Sequence, residues 1–550
     1  MSGSVGSRGR RNALLALVLV LAAALRLYPA HRPYVGEDTQ EAYPRAAMLA
    51  IAEGHWRPRW IVHGPGFFDA LRGMYSAWYG VGRVAGRYRD RVDFLASFAT
   101  RPLPFVAAGR LLVVACALVA VVLVASLGKD LDATTGGLAG AALLAVTFSH
   151  VRESHQVWPD VPAGTLALAA VSTSMLVLRR SSTGWVVAAS ILAGFAIATK
   201  PSAFPVALPV ALAAFLGDGP FRTRVVRAVL GGLLVAAAFS IAAPYALLQI
   251  ETARDFASRQ LGLTVGSVKG ALPLRRLVVL GLGLPLAVLG VAGAVLSARE
   301  RPLREWAVLT AFPIVYVIVL ATSSRLFVRY LALLAPFVAL YAGYAAARAA
   351  RALAPRHAGA LATIFVLALA ARPTMLAVEY DRFLARDDTR SLAGAWLAAH
   401  VPANAAVTLP DESGYVNPIL PLNILDLVRH YRGQSLPLRL RIGNAFRGWE
   451  MTYGRTSPEQ TGRTERHARF VVTSTHPALF VHLSTPLQAI DAIERAGGEP
   501  VARFLGTPDT LPPEVCYDPI DADYVPLRGW GALERPGPNL TIWRLPPSPG

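Results

Sequence analysis

Ten apolar runs recur between residues 103 and 377, at about 103–127, 134–149, 161–178, 184–199, 202–216, 226–247, 276–297, 305–322, 328–348 and 357–377. Another, Ala13–Leu25, precedes them near the N-terminus. In hydrocarbon a helix satisfies every backbone N–H and C=O within its own segment, so a succession of such runs restricts the chain to a bundle of membrane helices. Several runs are short for a hydrocarbon core of about 30 Å, which predicts tilted or paired helices.

The first run follows Arg8, Arg10 and Arg11. It is read as a first membrane helix, extended by Arg26 snorkelling to the interface, rather than as a cleaved signal peptide. Alternate connections then carry Arg179/Arg180, Arg222/Arg224/Arg227, Arg299/Arg301/Arg304 and Arg348/Arg351/Arg356. With about eleven spans these connections fall on the same side as the basic N-terminus, which predicts a cytoplasmic N-terminus and an external C-terminus. The same placement accounts for the net charge of +19 without nucleic acid, for which no basic stripe or fold signal is present. The two cysteines, Cys116 and Cys516, lie in unlike surroundings and suggest neither a disulfide framework nor a metal-ligand pair.

Two polar regions interrupt the apolar pattern. The first outer loop, about residues 28–101, carries two helical patterns, one through Tyr43, Ala46, Ala47, Ala50 and Ile51. The other is an aromatic stripe through Phe67, Phe68, Leu71, Met74, Tyr75, Trp78 and Tyr79, suited to the headgroup layer or to packing on the bundle. Beyond residue 378 no run is long enough to span. Helical patterns at Thr389–His400 and Pro486–Ala496 alternate there with short strands at Ala405–Leu409, Phe470–Thr473, Ala502–Leu505 and Leu540–Leu545. The expected domains are therefore a membrane domain, 1–378, and a small extracytoplasmic α/β domain, 379–550.

Chemistry-bearing residues gather on the outer side. Asp38 stands shortly after the first run, where a carboxylate serves either as a general base or as a helix N-cap, and Glu37 and Glu41 compete for either role. The second outer segment reads His150-Val151-Arg152-Glu153-Ser154-His155-Gln156-Val157-Trp158-Pro159-Asp160. Its histidines and carboxylates leave divalent-metal binding open, although their spacing is no recognised ligand pattern. Lys200 occupies a turn between two short spans, and Arg325 and Arg329 flank Leu326-Phe327-Val328 before the tenth span. Such cations either snorkel to the interface or capture a phosphate. Neither a Walker-type loop nor a serine-nucleophile elbow is present, which argues against an ATP-driven pump or a hydrolase.

In order and placement these segments resemble the polytopic GT-C glycosyltransferases, in the branch of protein O-mannosyltransferases and aminoarabinose transferases. The resemblance covers about residues 12–350. It rests on Gly36-Glu37-Asp38-Thr39, Ala46-Ala47-Met48, His63-Gly64-Pro65, Ser149 to Pro162, Gly194-Phe195-Ala196-Ile197-Ala198-Thr199-Lys200, and Arg329-Tyr330-Leu331 with Pro336. The branch's Asp-Glu pair is here Asp38-Thr39 with Glu37 ahead of it, so Glu37 competes with Asp38 as the family carboxylate.

The resemblance implies a GT-C-like membrane domain that moves a hexosyl or pentosyl group from a polyprenyl-phosphate donor to a glycan, lipid or protein hydroxyl outside the plasma (inner) membrane. Asp38 would be the base, with inversion at the sugar carbon, and Asp160 would support it or orient the acceptor. Lys200, Arg325 and Arg329 would meet the phosphate, and Tyr330, His63 and His155 would complete substrate binding. No cofactor is implied. The rival classes are a transporter or flippase of lipid-linked sugars and a non-catalytic membrane scaffold; a visible internal repeat would favour the first, and Asp38 buried away from any cavity would favour the second.

Overall fold

The computed structural model describes residues 2–28, 42–54, 64–131, 135–244, 271–323, 326–402, 405–410, 416–419, 450–453, 469–479, 484–518 and 524–546. Its contacts divide the chain into two compact units. The first holds Met1–Ala30, Arg57–Gly73 and Gly109–Val378; the second holds His31–Trp56, Met74–Ala108 and Glu379–Gly550.

The helices begin with α1 (Ser2–Leu27), α2 (Ala42–Glu53), α3 (Pro65–Val84), α4 (Arg91–Thr100) and α5 (Leu103–Leu131). They continue with α6 (Thr135–Val146), the short α7 (Phe148–Glu153), α8 (Asp160–Arg180), α9 (Thr183–Thr199), α10 (Ala207–Leu216) and α11 (Phe221–Ala242). Helices Ala271–Gly281, Leu284–Glu300, Leu303–Thr322, Leu331–Leu353 and Ala358–Leu384 follow. All the apolar runs are thus helical over most of their length.

Their lengths are uneven. Among the described residues six helices are long and apolar enough to cross a bilayer, or up to seven if a bent pair counts as one span. The bend is 104°, between Leu274–Gly281 and Leu284–Glu300, inside the run read as one span at 276–297. Gly283 sits there at φ 84°, a conformation few other residues adopt, and Pro285 opens the second helix where its missing N–H costs nothing. Thr135–Val146, Thr183–Thr199 and Pro201–Leu216 are apolar but shorter.

Small residues let the first unit pack closely. A Cβ built on Gly343 would collide with the backbone nitrogen of Gly140, and one on Gly140 would lie 2.9 Å from the Ala339 carbonyl. Helix α6 therefore meets Leu331–Leu353 backbone to backbone, the small-residue contact that membrane helices favour.

The basic connections are tied to one another. Glu305 pairs with Arg301 at 3.0 Å and Arg179 at 3.6 Å, Asp218 with Arg304 at 3.0 Å, and Glu300 with Arg348 at 2.6 Å. The Ser181 hydroxyl accepts from the Asp218 amide at 2.8 Å, and Arg301 donates to the Leu131 carbonyl. These turns form one end of the unit. Helix α8 leaves that end at Arg180 and reaches Asp160 about 30 Å away, at 1.5 Å per residue.

In the second unit the strands β1 (Ala406–Leu409), β2 (Glu450–Tyr453), β3 (Arg469–Thr475), β4 (Glu499–Phe504) and β5 (Asn539–Leu545) form one sheet of order β2-β1-β3-β5-β4. Strand β1 runs parallel to β2 and β3, and β5 runs antiparallel to β3 and β4. Alternate residues Phe470/Val472 and Leu540/Ile542 bury against Ala393 and Leu397 of helix Thr389–His400 and against Val401, which follows it. Asp388 caps that helix, accepting the Arg390 amide at 2.8 Å. The same unit includes α4, a third helix in the region where the sequence shows two helical patterns. Phe94 of α4 and Trp78 of α3 pack on Phe105 at 5.4 and 4.6 Å between ring centroids. The aromatic stripe is thus largely a packing surface, with Phe67, Phe68, Leu71 and Tyr75 buried.

Candidate active site

The strongest anomaly in the first unit is a polar segment with no exposure. Every residue from Thr147 to Asp160 is buried, including His150, Arg152, Glu153, Ser154, His155, Gln156 and Asp160. Charges so placed are costly unless each has partners, and paired or functional charges are where such residues persist.

Prolines shape the segment and the turn facing it. Lys200 precedes Pro201, whose ring disfavours the helical conformation behind it; Lys200 is accordingly extended at φ −149°, ψ 110°, and ends α9. Pro159 stands just before α8 and leaves Asp160 in its first turn, where a carboxylate meets the positive end of the helix dipole. Lys200 Nζ donates to Asp160 Oδ1 in a buried ion pair. Burial pulls the Lys200 ammonium below its ordinary range, Asp160 pushes back, and nearby Arg329 adds to the depression.

Arg329 lies in a short 3₁₀ turn, Val328–Tyr330, that enters helix Leu331–Leu353. Its guanidinium carbon stands 4.1 Å from the Phe327 ring centroid and 4.7 Å from that of Trp158. Lys200 lies 4.5 Å from the Tyr330 ring centroid, and the Tyr330 carbonyl accepts from the Tyr316 hydroxyl at 3.3 Å. Arg329 is 5% exposed, so it does not snorkel into water.

A third segment closes on the same turn. Gly64, at φ 79°, and Gly66 open α3 so close to Thr199 and Ala198 that a Cβ on either would strike their backbone. The Gly64 Cβ would also lie 3.5 Å from Pro159. The Gly-Pro-Gly start of α3, the end of the buried segment, the Thr199-Lys200 turn and the Arg329-Tyr330 turn therefore converge.

The sequence-derived residues divide as follows. Asp160, Lys200, Arg329 and Tyr330 come together. His155 is buried, with Nδ1 donating to the Val151 carbonyl at 2.8 Å, so it is turned onto its own helical turn. Glu37, Asp38, His63 and Arg325 lie outside the described residues. Among the described residues no group of three or more His, Cys, Asp or Glu side chains is arranged to hold a metal ion. Lys200, expected as a cation facing phosphate, is already matched by Asp160.

Trp158, Phe327 and Arg26 were not singled out as site residues. Arg26 is 1% exposed, and instead of snorkelling it reaches His150 Nδ1 at 2.9 Å. Burial and the Arg26 charge hold the His150 imidazole well below the usual histidine range, so the ring is neutral and its proton sits on Nε2. An arginine closing an apolar run was the available signal, since a cation at that position needs partners.

Residues 106–247 match the family model described as Dolichyl-phosphate-mannose-protein mannosyltransferase. No curated protein matches the chain by sequence. ArnT from Cupriavidus metallidurans in the apo state superposes with a TM-score of 0.53 at 14% identity, over 98% of each chain. The same protein bound to undecaprenyl phosphate gives 0.52 at 14% identity, again over 98% of each chain. The oligosaccharyltransferase AglB from Archaeoglobus fulgidus, in complex with an inhibitory peptide and a dolichol-phosphate, gives 0.46 at 14% identity, over 73% of this chain and 62% of that one. The chain spans 55–62% of the length of the archaeal oligosaccharyltransferase structures that it matches. The fold is the GT-C fold of ArnT.

Proposed function

We propose that this GT-C-fold chain is a membrane glycosyltransferase, moving a sugar from a polyprenyl-phosphate donor to an acceptor hydroxyl outside the membrane. A fold hosts many activities, so the site has to carry the reading. The supporting observation is the convergence of Asp160, Lys200 and Arg329, buried beside Trp158 and Tyr330 at the end of the unit remote from the basic turns.

Transfer breaks the bond between the anomeric carbon and the donor phosphate oxygen, and forms one to the acceptor oxygen. The acceptor proton must leave, and negative charge grows on the departing phosphate. Asp38 takes the proton, with Glu37 as the competing carboxylate, and a single displacement inverts the anomeric centre. Arg329, its guanidinium carbon beside the Trp158 and Phe327 rings, offers a planar fork to the phosphate. Lys200 adds a point charge, and Asp160 keeps that charge compensated until the lipid phosphate arrives. Arg325 and Tyr330 extend the phosphate site, while His63 and His155 serve the substrate side. Undecaprenyl phosphate bound to ArnT makes a polyprenyl phosphate the natural carrier to test.

The basic turns lie in the cytoplasm in this reading, and the site and the domain 379–550 lie outside the plasma (inner) membrane. The deciding experiment is mass spectrometry of membrane glycolipids and surface glycans in a deletion strain, complemented with the wild-type or Asp38→Asn chain. A glycan that disappears on deletion and returns only with the wild type supports the reading; unchanged glycans together with an altered lipid-linked sugar distribution across the membrane point instead to transport.

A further inference from the structure

Arg26 closes α1, and the chemistry proposed above does not use it. Nη1 donates to the Ala22 and Ala145 carbonyls at 2.9 and 2.8 Å. Nη2 donates to His150 Nδ1 at 2.9 Å and to the Leu144 carbonyl at 3.4 Å, and Nε donates to Ser154 Oγ at 3.2 Å. A guanidinium has five N–H donors in a fixed fork, and this one is spread over three segments.

The partners fall into two groups. Leu144 and Ala145 lie in the last turn of α6, where the helical ladder ends as the chain turns at Thr147, whose amide still donates to the Leu144 carbonyl at 3.3 Å. A cation there also meets the negative end of the helix dipole. His150 and Ser154 belong to the buried polar segment itself, and the Ser154 hydroxyl in turn donates to the His150 carbonyl. The segment is therefore gripped near its start by Arg26, and at its end by Lys200 on Asp160 and Arg329 over Trp158. A cation needed only to close α6 would have no use for the two side chains.

We infer that Arg26 is a positioning residue of this site: by holding His150 and Ser154 it fixes the segment Thr147–Asp160 and so sets where Asp160 meets Lys200. The inference rests on the proposed function only in taking that segment to serve the reaction.

The test uses the full chain in lipid nanodiscs, with undecaprenyl phosphate as the probe. Arg26→Gln is expected to speed amide hydrogen exchange across residues 147–159 by about tenfold or more, while α10 and α11 stay within about twofold of wild type. Undecaprenyl phosphate binding should weaken by about fivefold or more. Arg26→Lys should recover part of both, because one ammonium can hold the carbonyls but cannot span His150 and Ser154. In a double-mutant cycle, His150→Ala should have a much smaller effect once Arg26 is already Gln. Unchanged exchange in 147–159, an equal rise throughout the first unit, or strict additivity with His150→Ala would overturn the inference. Should Arg26→Gln fail to accumulate, His150→Ala and Ser154→Ala each remove one contact, and wild-type exchange in both would overturn it too. A wild-type chain that transfers no sugar refutes the proposed function and leaves the exchange result to judge Arg26.

Discussion

Lys200 and Asp160 form a buried ion pair across 40 residues of sequence, linking the end of α9 to the start of α8. Neither side chain is a free charge awaiting substrate. Burial lowers the Lys200 ammonium, and the Asp160 carboxylate counters that shift. Arg329 lies close enough to depress the ammonium further, while the Glu153 carboxylate joins Asp160 in opposing it.

Breaking that pair should therefore cost stability as well as activity. Asp160→Asn or Lys200→Met leaves one buried group without its counter-charge, a loss of about 3–5 kcal/mol for such pairs. The double variant Asp160→Asn/Lys200→Met should regain most of the thermal stability and none of the transfer. Melting of the three variants in detergent, alongside a transfer assay, checks this. A double variant as unstable as the singles would mean that the pair is not the source of the loss.

Asp38→Asn should abolish transfer while the protein accumulates normally, since the change keeps the shape and removes the proposed base. The expected loss is about 10²–10⁴-fold. Glu37→Gln serves as the comparison. Activity within a few-fold of wild type in Asp38→Asn, measured with lipid-linked donor in membranes, rejects the assignment, and loss in Glu37→Gln alone transfers the role to Glu37.

His476 should make the C-terminal unit acid-sensitive. Its Nδ1 accepts the Ala478 and Leu479 amides at 3.1 and 2.9 Å, and burial pushes the ring down from 6.5 to about 4. Between those values the unfolded chain binds a proton that the native ring does not. The stabilisation is complete above about pH 6.5 and declines as pH falls towards about 4, by up to about 3 kcal/mol. His476→Gln should flatten that part of the pH–stability profile; an unchanged slope between pH 6.5 and 4 would show that carboxylates alone produce it.

Periodicity made much of the fold legible. The apolar runs, the helices at Thr389–His400 and Leu487–Arg495, and strands β1, β3 and β5 lie where apolar spacing and turn residues put them, while β4 begins three residues before the expected Ala502. Strand β2, Glu450-Met451-Thr452-Tyr453, is not apparent from the sequence because it opens on a charged residue and carries no apolar run. The bend at Gly283 was missed because hydropathy averages over a single glycine and proline. In the site, residue types were legible and pairings were not. Asp160 and Lys200 were read separately, since spacing along a chain cannot report a contact between two remote turns. Arg26 has the sequence signature of a snorkelling cation at a helix end, because its partners in α6 and the buried segment lie more than a hundred residues away.

The orientation can be tested apart from any chemistry. Reporter fusions after Arg180, Arg227, Arg304 and Arg351 should report cytoplasm, and fusions after Asp90 and Pro410 should report the outside. The ion pairs of Arg179, Arg301, Arg304 and Arg348 join these basic turns at one end, so they should all report the same side. A cytoplasmic signal after Pro410 would refute an odd number of crossings.

Arg329 offers the sharpest test of the proposed donor site. Its guanidinium is buried against Trp158 and Phe327. A guanidinium is a planar fork whose geometry suits phosphate oxygens. Arg329→Ala should raise the Kd for undecaprenyl phosphate and slow transfer, since both the charge and the fork are lost. Arg329→Lys keeps the charge but neither the fork nor the flat face, so it should recover only part of the binding. A merely structural cation predicts another pattern: lysine serves about as well as arginine, and any deficit appears in the amount of folded protein. Trp158→Leu should separate the two further. Loss of the shelf lets the guanidinium move, so binding should fall with the charge intact, whereas a structural role predicts a loss of thermal stability with binding per folded molecule unchanged. Wild-type binding and turnover in Arg329→Ala, normalised to folded protein, would remove this residue from the site.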